Sequence, residues 1–325
     1  MVDVPLFADV KEAAGRIAPY AVRTPMVESP ILGAMRGGRV FLKLESLQRT
    51  GSFKFRGAAN RILMIPKDQR AAGVVAFSSG NHAQAVAAMA QLLGIPALIV
   101  MPADAPKAKI DGTRAFGAEI VAYDRVRDDR EAIAARICNE RGATLIKPYD
   151  DPQVIAGQGT AGLEIAEDAA RLGVALDAVA VPCSGGGLVT GIALALKGVG
   201  CAAFVHSVEP ENFDGMRRSL ATHARSTAPG GKLSIADSLM APIPGHHAFA
   251  VAEGLLAPGL TVSETELAHA VAFAATKLKL VVEPGGAAAL AAFLAGKIEA
   301  KTVVLVISGG NADFATVANA VAGSP

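Results

Sequence analysis

From about residue 72 onward the chain repeats one local pattern: a short apolar run, a turn bearing glycine or serine, then a stretch of helical period. The runs at 74–77, 97–100, 119–122, 144–147, 177–182, 203–208 and 302–307 read as strands. Helices are expected near 82–93, near 107–116 after Pro102 and Pro106, at 128–141, at 153–171 and again after the turn at 183–187. This alternation implies an α/β fold of parallel βαβ units with right-handed crossovers. Strands of that kind are covered on both faces, and the composition agrees, with 51% hydrophobic residues and 19% charged. Ligands of such sheets bind beyond the carboxyl ends of the strands, so the turns are where chemistry is expected.

Other classes are disfavoured. A net charge of +1 without a Lys/Arg-rich run gives no reason to expect a nucleic acid or an anionic membrane as partner. The N-terminal MVDVPLFADVKEAAGRI has acids and no apolar core, unlike a signal peptide. Residues 71–103 and 178–196 lack Asp, Glu, Lys and Arg, but Pro96 and Pro182 and polar or glycine-rich turns interrupt them, so both are expected in the core. Cys138, Cys183 and Cys201 show no metal spacing and suit a reducing cytoplasm. No repeat or linker divides the chain, and any second domain is an excursion of the first.

Four turns mix glycine with small polar residues: 52–57 (SFKFRG), 78–82 (SSGNH), 183–188 (CSGGGL) and 308–311 (SGGN). The three glycines before a helix at 187 suit an anion, because backbone N–H groups and the helix dipole converge there. Lys54 lies between Phe53 and Phe55; desolvation by such neighbours lowers an amine's pKa and suits it to Schiff-base chemistry, although a snorkelling lysine has the same local sequence. The hydroxyls, amide and imidazole at 78–82 could bind a carboxylate, or serve only to cap a helix. A literal GxGxxG occurs at 157–162, but Asp150-Asp151-Pro152-Gln153 before it is no strand, which argues against a dinucleotide site.

Taken together, SFKFRGA (52–58), SSGNHAQA (78–85), AGQGT (156–160), SGGGL (184–188), EPGGA (283–287) and SGGN (308–311) resemble, in order, the signatures of the serine/threonine dehydratase and serine racemase family of fold-type II pyridoxal-phosphate enzymes. The resemblance implies two open parallel-sheet lobes with pyridoxal 5'-phosphate in the cleft between them. Residues 1–68 and 148–325 would form the larger, cofactor-binding domain and 69–147 a small mobile one. Lys54 would bond the cofactor aldehyde and act as base, with Ser79 the second catalytic group. Phe53 would pack beside the ring, Asn81 bond its phenolic oxygen, Ser308 face its nitrogen, and Glu283 lie at the cofactor. Ser184, Gly185, Gly186, Gly187 and Leu188 would hold the phosphate. Ser78, Ser79, Asn81 and His82 would clamp the substrate carboxylate, and Arg130 stands loosely where some racemases have a substrate-contacting arginine. The implied activity is elimination of water and ammonia from L-threonine or L-serine by a cytoplasmic homodimer; a racemase or a 3-hydroxyaspartate dehydratase is the alternative, and a silent cofactor binder a third.

Departures narrow this. Metal-dependent members carry two carboxylates six residues apart; here Glu209 matches, but Gly215 takes the second place and Asp214 is one residue early, so Glu209 would be a ligand in a weakened Mg²⁺ site or simply a loop acid. Pro242 stands near the position of a racemase's substrate-contacting serine, which favours elimination. The chain ends soon after SGGN, so feedback by isoleucine is not expected.

Overall fold

A computed structural model describes residues 4–105 and 107–323; Met1 to Asp3, Pro106, Ser324 and Pro325 lie outside them. Ten strands form two sheets. The larger holds β1 (Met26–Glu28), β2 (Arg39–Leu44), β7 (Ala178–Pro182), β8 (Phe204–Pro210), β9 (Leu260–Val262) and β10 (Thr302–Ile307), in the order β1-β2-β10-β7-β8-β9. The smaller holds β3 (Val74–Phe77), β4 (Ala97–Pro102), β5 (Glu119–Tyr123) and β6 (Thr144–Leu145), ordered β5-β4-β3-β6. Every pairing is parallel except that of β1 with β2. The α/β class with two parallel sheets is thus as expected.

β3 and β7 are buried at every position, as strands between two helical layers must be. β6 stops at Leu145, two residues short of expectation. β1, β2 and β9 were not anticipated. In β2 the apolar run is broken by Lys43, which is fully buried and donates to the Thr24 carbonyl at 2.7 Å and to Glu164. Among the described residues no helix is long and apolar enough to cross a membrane, and the three cysteines are free.

Helix Pro152–Arg171 explains the false dinucleotide motif. A Cβ at Gly157 would lie 2.7 Å from the Arg56 carbonyl, one at Gly159 2.7 Å from the Gly191 carbonyl, and one at Gly162 2.9 Å from the Ile192 backbone. These glycines let helices Lys54–Leu63 and Gly187–Gly198 approach on either side. Both neighbours begin at expected site residues, so the packing of this helix sets where they start.

Arg56 fixes the first of them. Its side chain is 1% exposed and bonds both oxygens of Glu45 at 2.8 Å and both of Glu164 at 2.7 and 2.8 Å. Burial pushes the Glu45 carboxyl up, but Arg56 and Lys43 overcome it and hold the group below its ordinary value. Two cations thus face two carboxylates inside the protein. Removing one cation strands buried negative charge. Arg56→Met should cost about 3–5 kcal/mol in unfolding free energy, by analogy with other broken buried pairs; a change below about 1 kcal/mol in denaturant titration would refute the arrangement.

Candidate active site

Four chain segments leave the carboxyl ends of parallel strands and meet around one cavity of about 400 Å³. After β2 the chain turns through Thr50 and Gly51, both at positive φ, and Ser52 bridges to Gly309 beyond β10. Phe53 donates to the Ser308 carbonyl at 3.1 Å, and Gly310 to the Gly51 carbonyl at 2.9 Å. Helix Lys54–Leu63 then begins at the cavity floor. The Lys54 Nζ donates to the Pro148 carbonyl at 2.7 Å and stands 5.0 Å from the centre of the Phe53 ring. Burial lowers its pKa to about 8, against the attraction of Glu283.

From β3, Ser78 to Gly80 lead into helix Asn81–Leu93, whose start has no side-chain cap. Ser78 Oγ accepts from the Gly80 N–H at 3.2 Å, while the Ser79 hydroxyl, on the cavity wall, has no partner among the described residues. Asn81 ties the smaller sheet to the larger: its Nδ2 donates to Glu283 at 2.6 Å and its Oδ1 accepts from Asn311 at 2.7 Å. Burial pushes the Glu283 carboxyl up to about 7, against that hydrogen bond.

His82 lines the same cavity, with its ring bonded to the backbone. It is buried, its Nε2 is 2.8 Å from the Ile146 carbonyl, and burial with the nearby Lys54 charge lowers its pKa to about 3. With Nε2 donating to that carbonyl, a neutral imidazole has no second N–H to offer a carboxylate. Arg130 does line the cavity, its guanidinium 5.4 Å from the Phe77 ring centre and without an acidic partner among the described residues.

From β7, Cys183 to Gly186 lead into helix Gly187–Gly198. Among the described residues the N–H groups of Gly185 to Leu188 have no protein acceptor. Gly186 adopts a φ of 96°, and a Cβ on Gly185 would run into the ring of Tyr149. Ser184 Oγ accepts from Ala241 N–H at 3.1 Å. The hydroxyl of Ser308, beyond β10, also lines the cavity and has no partner among the described residues. An amine, a ring-flanking phenylalanine, a free hydroxyl and a cradle of free N–H groups fit the aldehyde, ring and phosphate of the cofactor expected from the sequence.

The expected cation site does not fit its ligands. Glu209 is buried, and its oxygens accept the N–H groups of Met216 and Arg217, each at 2.8 Å. Asp214 is held by Arg217 and Arg218 at 2.9 and 2.8 Å. No three potential ligands cluster there, or elsewhere among the described residues. Sequence reasoning also missed lining residues. Tyr149 carried the signal of an aromatic beside a proline after β6. Lys109 and Asp237, paired at 2.7 Å across the cavity mouth, carried none, being 128 residues apart.

A Lys54 pKa near 8 has a direct consequence for the cofactor-free protein. Acylating reagents attack only neutral amines, so labelling of Lys54, read by peptide mass, should reach half its maximal rate near pH 8 and not near the ordinary lysine value of about 10.4. A midpoint near the ordinary value would contradict the desolvated placement.

The family described as pyridoxal-phosphate dependent enzyme matches residues 17–309. An L-threo-3-hydroxyaspartate ammonia-lyase of Pseudomonas sp is 43% identical over 98% of each chain. A serine racemase of Schizosaccharomyces pombe is 41% identical over 96% of this chain and 95% of its own. The crystal structure of a threonine deaminase of T.th. superposes with a TM-score of 0.90 at 43% identity, covering 95% of this chain and 99% of that one. With its cavity chemistry and these relatives agreeing, the chain belongs to the pyridoxal-phosphate-dependent family of ammonia-lyases and racemases.

Proposed function

We propose that this enzyme removes water from a small β-hydroxy α-amino acid, L-serine or L-threonine in the first instance, to give a 2-oxo acid and ammonium. The observation that carries the reading is the Lys54 amine, set deep in the cavity with a pKa near 8. Pyridoxal phosphate, when bound, supplies the electron sink that makes the substrate's α-proton labile. The chain supplies the rest. Lys54, largely neutral at mildly alkaline pH, takes the α-proton. The N–H groups at the start of helix Asn81–Leu93, with the hydroxyls of Ser78 and Ser79, hold the α-carboxylate and so orient the Cα–H bond. The free Ser79 hydroxyl is a second proton carrier in the same cavity, which keeps racemisation within the site's means. Phe53, Asn81, Glu283 and Ser308 surround the ring, and Ser184 to Leu188 take the phosphate. Residues 69–147 are read as the part that closes on substrate, with the Lys109–Asp237 pair as one of its contacts. The proposal includes a cytoplasmic homodimer, on family precedent and the unpaired cysteines.

A second reading concerns the substrate's far end. Arg130 is a cation on the cavity wall with no acidic partner among the described residues, a chemistry that suits a second carboxylate. L-threo-3-hydroxyaspartate has one, and relatives from Pseudomonas sp and Saccharomyces cerevisiae are named for that substrate.

A panel of L- and D-serine, L-threonine and L-threo-3-hydroxyaspartate, scored by 2-oxo acid release, separates these readings. Elimination from none of them would end the proposal. Lys54→Ala should lower the rate at least about a thousandfold, since base and cofactor anchor go together; near-normal turnover would remove Lys54 from its role. Arg130→Met should lower kcat/KM for the dicarboxylate about 10- to 100-fold, the worth of a charge-assisted hydrogen bond, and leave L-serine nearly unaffected. Equal losses on both would discard the second reading.

A further inference from the structure

Glu209 lies near the end of β8, behind the turn at 184–188, and is fully buried. The two N–H groups it accepts belong to the second and third residues of helix Gly215–Thr222, the donors that an N-cap side chain ordinarily satisfies. The residue at the cap itself, Asp214, makes no such bond, its carboxylate being turned to Arg217 and Arg218. Glu209 thus caps this helix from another element, with its carboxyl at the positive end of the dipole.

The capped helix reaches the turn. A Cβ on Gly186 would lie 2.6 Å from Met216 Cε, so the Met216 methyl occupies the space beneath that glycine. From the other side, Gly245 N–H donates to the Gly185 carbonyl at 3.0 Å. At Gly215, where the family pattern would place a second carboxylate, a Cβ would sit 3.2 Å from Pro244 Cδ and 3.4 Å from the Pro242 carbonyl. A side chain there would press on the segment 242–244. Two N–H groups aimed at Glu209 also put positive charge where a cation would have to approach, so cation and helix compete for the same oxygens.

We propose that Glu209 is a positioning residue for the phosphate turn: its carboxyl fixes helix Gly215–Thr222, and that helix fixes Gly186 through Met216, doing without a cation. The inference rests on the turn at 184–188 being the phosphate cradle.

Two measurements on the holoenzyme test it. After treatment with chelating resin, Mg²⁺, Ca²⁺ and Mn²⁺ added to millimolar levels should each move the thermal midpoint by less than about 1 °C, whereas a saturable rise of several degrees, the mark of a ligand bound to the native state, would overturn the cation-free arrangement. Second, the dissociation of pyridoxal phosphate and of phosphate-free pyridoxal is followed by absorbance in Glu209→Gln and Met216→Ala. Loss of an effective cap should weaken pyridoxal phosphate about tenfold and leave pyridoxal within about twofold. Unchanged retention of the phosphorylated form, or equal loss of both ligands, would overturn the positioning role. Should Glu209→Gln fail to fold, Met216→Ala, which removes packing and no charge, carries the same comparison. Wild-type protein that bound both ligands alike would instead refute the cradle reading, and this proposal with it.

Discussion

The site depends first on the ion cluster that seats helix Lys54–Leu63. Arg56 lies two residues beyond Lys54 and is held by Glu45, just past β2, and by Glu164 on helix Pro152–Arg171. Lys43, inside β2, bonds Glu164 from the other side. Desolvating four charges costs about as much as their attraction returns, so such a cluster adds little net stability over an apolar core. Its consequence is geometric. A planar guanidinium with four bonds to two carboxylates tolerates little rotation, and the Lys54 end of the helix follows it. A lysine on a frayed helix start would lie in water with an ordinary pKa.

With that amine fixed, the rest of the cavity is complementary to a molecule carrying anions at several points. The helices starting at Asn81 and Gly187 both begin at strand ends that face the cavity, and neither start is capped by a side chain. Uncapped N–H groups at a helix start are costly unless something accepts from them. Two such starts around one cavity, with Lys54 between them and Arg130 on the wall, are what a phosphate and a carboxylate on a shared framework would require.

How much of this was readable depended on whether the signal was local. The strands at 74–77, 178–182 and 302–307 were legible as unbroken apolar runs, and the turns after them as glycine-rich breaks. β2 was hidden because Lys43 looks like a surface residue until Glu164, 121 positions away, is known to meet it. Arg56 and Glu45 were passed over for the same reason. The direction of the His82 ring was not legible: adjacent residues on a helix are about 100° apart, so with Asn81 turned to Glu283 the next side chain meets the Ile146 carbonyl. For Glu209 spacing left a weakened cation site and a plain loop acid both open, because no sequence pattern reveals that a helix will start against its oxygens.

The two sheets are joined differently at the floor and at the mouth of the cavity. At the floor, Phe55, Ala58, Ala59 and Ile62 pack into one buried cluster with Ala83, Val86 and Met89. Separating them would expose apolar surface at about 25 cal/mol per Å². At the mouth the contacts are polar: Asn81 with Glu283 and Asn311, and Lys109 with an Asp237 that is more than half exposed. The partly exposed Lys109–Asp237 pair is worth about 0–1 kcal/mol, since water replaces the partner. If residues 69–147 close on substrate as proposed, the mouth is the cheaper place to part and the floor the hinge. Of the two sides, it is the mouth side that carries Ser79 and Asn81, while Lys54 and the turn at 184–188 stay with the floor. The unequal joint would therefore let Ser79, proposed to serve the substrate, move relative to Lys54 and the proposed phosphate turn.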